Sequence, residues 1–97
     1  MFVATYRYLI GDQAAATKSS DLAIKTWVAN GATSMSRYVT LSGLNTGQWM
    51  FAIRFESAET WAKAMTAVRA SPEFKQWTTE NKAAGNVLQE AMFLQEV

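Results

Sequence analysis

Apolar and polar positions alternate with a period of two at the start of the chain. Phe2, Ala4, Tyr6, Tyr8 and Ile10 fall on one side, and Val3, Thr5, Arg7 and Leu9 on the other. That period, carried by aromatic and β-branched residues, predicts a first strand over Phe2 to Ile10. Both sides are substantially apolar, so both faces of the sheet are expected to be covered. Gly11 breaks the strand and Asp12 supplies an N-cap. The spacing then becomes helical over Gln13 to Asn30, with Ile24, Trp27 and Val28 on one stripe and Thr17 and Ser20 earlier. Asn30-Gly31 ends this helix, because glycine takes the left-handed conformation that satisfies the last carbonyls.

Met35 to Ser42 and Gln48 to Glu56 read as two further strands, joined by Gly43-Leu44-Asn45-Thr46-Gly47, a sequence suited to a hairpin loop. On the third strand Trp49, Phe51, Ile53 and Phe55 make a large apolar side, and Met50, Ala52 and Arg54 a smaller, partly polar one. Ser57 caps a second helix bearing Trp61, Met65 and Val68, and Ser71-Pro72-Glu73 restarts it with an N-cap, an N1 proline and an acidic first turn. The second piece carries Phe74 and Trp77. Gly85 ends it before a fourth strand over Val87 to Val97. The order β-α-β-β-α-β, with right-handed crossovers, predicts one α+β domain over residues 1–97: an antiparallel sheet of order 4-1-3-2 with the helices on one face. The other face carries Val3, Leu9, Met50 and Ala52, a patch too apolar to leave wet.

Composition narrows the function classes. The chain has 97 residues, 49% of them hydrophobic, as in a globular domain with one core. Folding at this size buries only about two thirds of the surface of an extended chain, so a second subunit would add needed stability. Formal net charge is +1 with no block of like charges, which gives no nucleic-acid or membrane-surface patch. The third strand also fails the pattern of RNA-recognition domains, since Met50 and Ala52 stand where stacking rings are required. No apolar run approaches the roughly 18 residues of a membrane span, and Met1 leads directly into strand-like sequence, so neither an anchor nor a secretion signal is expected. Cysteine and histidine are both absent, which excludes disulfides, thiolate nucleophiles, Cys or His metal sites and imidazole bases. A cytoplasmic location is the expectation that fits.

The candidate chemistry lies elsewhere. Trp27, Trp49, Trp61 and Trp77 sit on apolar stripes and read first as core, although they also suit the wall of an aromatic-ligand pocket. Tyr6 and Tyr8 divide evenly between core and pocket, because each hydroxyl needs a partner if it faces the helices. Arg7 and Arg54 share a side of neighbouring strands, with Glu90 placed to lie beside Arg7. That cluster reads either as an ion-paired dimer seam, which is favoured, or as a carboxylate anchor. The carboxylates form no paired spacing, and Glu59 and Glu73 are explained by the helix dipole.

The order of elements, Gly31, the Phe55-Glu56-Ser57 junction and Ser71-Pro72-Glu73-Phe74-Lys75 together resemble the dimeric α+β barrel superfamily over nearly the whole chain. The likeness is to its antibiotic-biosynthesis-monooxygenase and NIPSNAP-like branches, where a strand ends in an aromatic-charged-serine turn before a broken helix. The resemblance implies a ferredoxin-like fold, a homodimer with sheets back to back and, in many members, a ligand pocket between helices and sheet. Haem-degrading members use an asparagine on strand one, a tryptophan on helix two and a histidine after the break. Tyr6, Val68 and Thr78 stand in those places here, so haem chemistry is not carried over and no cofactor is expected.

Two functional readings follow. In one, a small homodimeric domain binds a small apolar or aromatic ligand, or a partner, without catalysis. Its ligand residues would be Tyr6, Tyr8, Tyr38 and Trp77, and its dimer face Arg7, Met50, Arg54 and Glu90. In the alternative, the same pocket serves a cofactor-independent monooxygenase- or cyclase-like enzyme acting on an aromatic or polyketide-like substrate.

Overall fold

A computed structural model describes residues 1–97. The elements are β1 (Phe2–Leu9), α1 (Gln13–Ala29), β2 (Ser34–Val39), β3 (Trp49–Phe55), α2 (Ala58–Arg69), α3 (Pro72–Ala84) and β4 (Val87–Gln95). Each helix starts where a side chain can take up a free amide. Asp12 accepts from the Ala15 N–H at 3.1 Å, Ser57 from Thr60 at 3.1 Å and Ser71 from Phe74 at 3.2 Å. Pro72 at the first position of α3 makes the break between α2 and α3 permanent, since its ring cannot continue the preceding helix. Gly85 then closes α3 with φ of 74°, the left-handed cap read from the sequence.

The strands form one antiparallel sheet of order β2-β3-β1-β4. In its register Tyr6 lies opposite Phe51 and Ala91, and Arg7 opposite Met50 and Glu90. β4 carries one extra residue, Gln89, against the Arg7-Tyr8 step. The β2-β3 hairpin extends past β2 through Thr40, whose N–H donates to Gln48 and whose carbonyl accepts from Gly47. The strand itself therefore stops at Val39, earlier than the expected Ser42.

The three helices cover one face only. Ala4, Ile53 and Phe55 from the sheet meet Ala23 and Trp27 of α1, Ala64 and Val68 of α2, and Trp77 of α3 in one core. As expected, the helices leave the second face to water or a partner: Val3, Thr5, Arg7, Met50, Arg54 and Glu90 lie on the face away from them, and β4 is exposed along its whole length. The apolar stripe expected on α1 also needs correction. Val28 is 46% exposed, and the face turned inward is Ala16, Ser19, Ser20, Ala23, Thr26 and Trp27. Val28 is about 100° around the helix from Trp27, so both cannot point at the sheet. Apart from Trp27 and the partly buried Leu22, small side chains meet the sheet along α1. No helix is long and apolar enough to cross a membrane.

Candidate functional site

Small residues on α1 facing large ones on the sheet leave space between the two layers. A cavity of about 450 Å³ lies there, floored by Tyr6, Tyr8, Phe51 and Ile53 and roofed by Ala16, Ser19 and Ala23. Met65 and Arg69 of α2 and Phe74, Trp77 and Asn81 of α3 close its sides. Exposed Lys82, Val87 and Leu88 mark where it meets solvent. The volume falls within the range of small-molecule sites and the wall is mainly apolar. A smaller cavity of about 190 Å³ lies across Tyr6, Met65 and Arg69, which line both spaces, and is bounded by Trp61 and Phe93 stacked with ring centroids 4.1 Å apart.

The polar groups in this apolar setting are few. Ser19 is only 3% exposed, and its hydroxyl has no hydrogen-bond partner. Such a group costs stability when left dry and unpaired, and its oxygen is sealed from the cavity as well as from water. The indole N–H of Trp61 is the other buried side-chain polar atom without a partner, and it belongs to a residue lining the smaller cavity. Asn86, by contrast, is fully engaged. Its Oδ1 accepts from the Gly11 and Asp12 N–H groups at 2.8 and 3.0 Å, and its Nδ2 donates to the Asn81 side chain at 3.1 Å. It ties the end of β1 to the end of α3 and fixes one corner of the cavity.

Burial pushes the phenols of Tyr6 and Tyr8 above their ordinary 10.0, the Arg69 guanidinium partly offsetting the effect at Tyr6. Both are therefore neutral hydrogen-bonding groups at pH 7. Because the folded values are raised, their contribution to stability is complete below pH 10 and is lost as pH rises through the folded values. The melting temperature of the wild type is accordingly expected to fall more steeply above pH 10 than that of Tyr8→Phe, which has no proton to lose there. Parallel curves for the two proteins would contradict this.

Of the ligand residues expected from sequence, Tyr6, Tyr8 and Trp77 come together on this cavity, and Tyr38 does not. Tyr38 lies opposite Met50 on the uncovered face, where the Arg54 guanidinium donates to its hydroxyl at 3.4 Å. Arg54 and Ser36 hold that phenol below its ordinary value. Strand alternation explains the placement, since β2 puts Met35 toward the helices and hence Ser36 and Tyr38 in register with Ala52 and Met50 on the other side. On that face Arg7 is paired with Glu90 at 3.8 Å and donates to the Gln48 side chain. Ser19, Arg69 and Asn86 were not anticipated. The only trace of the first was the spacing of small residues at Ala16, Ser19, Ser20 and Ala23.

No protein-family model and no curated protein matches the sequence. Solved structures do match the fold. SnoaB, a cofactor-independent oxygenase from Streptomyces nogalater, superposes with a TM-score of 0.74 at 11% identity, over 99% of this chain and 92% of its own. An uncharacterized NIPSNAP domain protein from Burkholderia xenovorans gives 0.75 at 15% identity, over 100% and 95%. A candidate antibiotic biosynthesis monooxygenase from Deinococcus radiodurans gives 0.62 at 15% identity, over 98% and 92%. The chain thus has a ferredoxin-like α+β fold, shared with an oxygenase, a NIPSNAP domain protein and a candidate monooxygenase.

Proposed function

We propose that this domain binds a small apolar or aromatic ligand in the cavity between helices and sheet, and that it works as a homodimer joined through the uncovered sheet face. The observation that carries the ligand reading is the cavity itself, about 450 Å³ with a mainly apolar wall between helices and sheet. A well-packed core leaves few voids larger than a water molecule, whereas this one keeps room for a small molecule.

Binding is favoured over catalysis by what lines the space. The chain has no histidine, no aspartate or glutamate borders the cavity, and its two tyrosines are held protonated. A general base matched to neutral pH is therefore missing. The oxygenase reading, suggested by the fold shared with SnoaB, would have to rely on a substrate acidic enough to give up its own proton.

A neutral apolar fluorophore, N-phenylnaphthylamine, tests the ligand reading. Saturable binding at one site per chain is expected, and Ser19→Leu, which projects extra carbons into the cavity, should weaken it about tenfold or more. Circular dichroism would verify that the variant is folded. Absence of saturable binding to the wild type, or equal affinity in a folded Ser19→Leu, would overturn the reading.

A further inference from the structure

The cavity wall is electrostatically one-sided. Arg69 and Lys82 both line it, and no carboxylate does. Neither cation is engaged within the chain, whose ion pairs are Arg7 with Glu90, Lys18 with Glu80, and Arg37 with Asp21. Each stands in the last turn of its helix, where the dipole favours a cation. The dipole does not explain why Arg69 should border two apolar cavities at once, with Tyr6 and Met65 and with no carboxylate lining either.

We propose that the ligand is an apolar acid, an aromatic or hydrocarbon body carrying one negative group, and that Arg69 is the residue that holds that group. The inference rests on the cavity being a ligand site and specifies what the site selects. An anion entering an apolar space loses its hydration, and this is tolerable only against a fixed positive donor. A guanidinium meets the paired oxygens of a carboxylate or sulfonate with two parallel N–H donors, giving orientation as well as attraction. Arg69 also lies close enough to the Tyr6 hydroxyl to act on its ionisation, which puts its charge beside the cavity floor. The neutral Tyr6 hydroxyl can donate to the same anion. Lys82, toward the solvent side, adds attraction during entry. An ester or amide of the same acid would fill the same space but offer Arg69 only a neutral carbonyl.

Two probes of nearly the same shape separate this inference from the one beneath it. Anilinonaphthalene sulfonate carries a negative group, and N-phenylnaphthylamine lacks one. Each is titrated against the wild type, Arg69→Gln and Arg69→Lys, with Ser19→Leu identifying the fluorescence that arises in the cavity. The cavity-bound anion should bind at least fivefold tighter than the neutral probe. Arg69→Gln should weaken the anion about tenfold and the neutral probe less than twofold, with Arg69→Lys in between. Neutral binding in the cavity with no preference for the anion, or an anion affinity indifferent to Arg69→Gln, would overturn the acid assignment and leave the cavity reading standing. Failure of both probes to bind there would overturn both.

Discussion

Gly11→Ala is expected to destabilise the domain by about 3 kcal/mol and lower its melting temperature by roughly 10–25 °C. Gly11 sits where the end of β1 meets the end of α3. A methyl group placed on it would lie 2.7 Å from the Ala84 carbonyl oxygen and 2.8 Å from that of Gly85. Both obstacles are backbone, so neither can rotate away as a side chain would. The Gly11 N–H is also bonded to buried Asn86, and any retreat of the chain lengthens that bond and its neighbour from Asp12. Relief therefore requires the β1-α1 and α3-β4 junctions to move apart, loosening the corner of the cavity that Asn86 holds. Thermal unfolding followed by circular dichroism measures the effect. A shift of less than about 3 °C would show that the junction yields freely, since 1 kcal/mol in a domain of this size is worth more than that.

What the sequence made legible follows from how local each signal is. Caps and breaks lie within four residues of what they control, so Asp12, Ser57, Ser71-Pro72 and Gly85 place the helix ends where the structure has them. Strand alternation is equally local, and it put Tyr6 and Tyr8 toward the helices and Arg7 beside Glu90. Tyr38 went astray because assigning a side to β2 needs its register against β3, and the nine residues from Thr40 to Gln48 do not fix that register from composition. The cavity was hidden for a different reason. It is made by what α1 lacks, a row of alanines and serines under Tyr8 and Phe51, and empty space leaves no mark on a hydrophobic pattern. Arg69 reads in sequence as an ordinary cation at a helix end. Only the folding of α2 over Tyr6 shows which surface it borders.

Met50→Glu is expected to turn a dimer into a monomer while leaving the fold intact. The helices occupy one face of the sheet, and the other presents Val3, Leu9, Met50, Met92 and Leu94 around a centre that is already dry, Thr5 being 7% and Ala52 6% exposed. Leu9, Met92 and Leu94 are each exposed by two fifths or more, although they belong to strands and not to loops. Arg7 is met within the chain by Gln48 and Glu90, whereas Arg54 has only the neutral hydroxyls of Ser36 and Tyr38, so its charge has to stay solvated when the face is covered. A second copy of the same face brings the same apolar surface. A specific interface buries about 800 Å² per partner, and even a partial apolar share at about 25 cal/mol per Å² gives several kcal/mol before association costs. Dimers at micromolar concentration are therefore expected. A glutamate at Met50 would put an unpaired carboxylate at the middle of that seam, next to Arg7 in register but with Arg7 already committed to Glu90. Met50 faces away from the core, so the monomer has no reason to unfold. Light scattering on a sizing column from about 1 to 100 μM should give twice 10.8 kDa for the wild type and a value near 10.8 kDa for Met50→Glu. A wild-type mass of 10.8 kDa throughout that range, or a variant as dimeric as the wild type, would refute the interface.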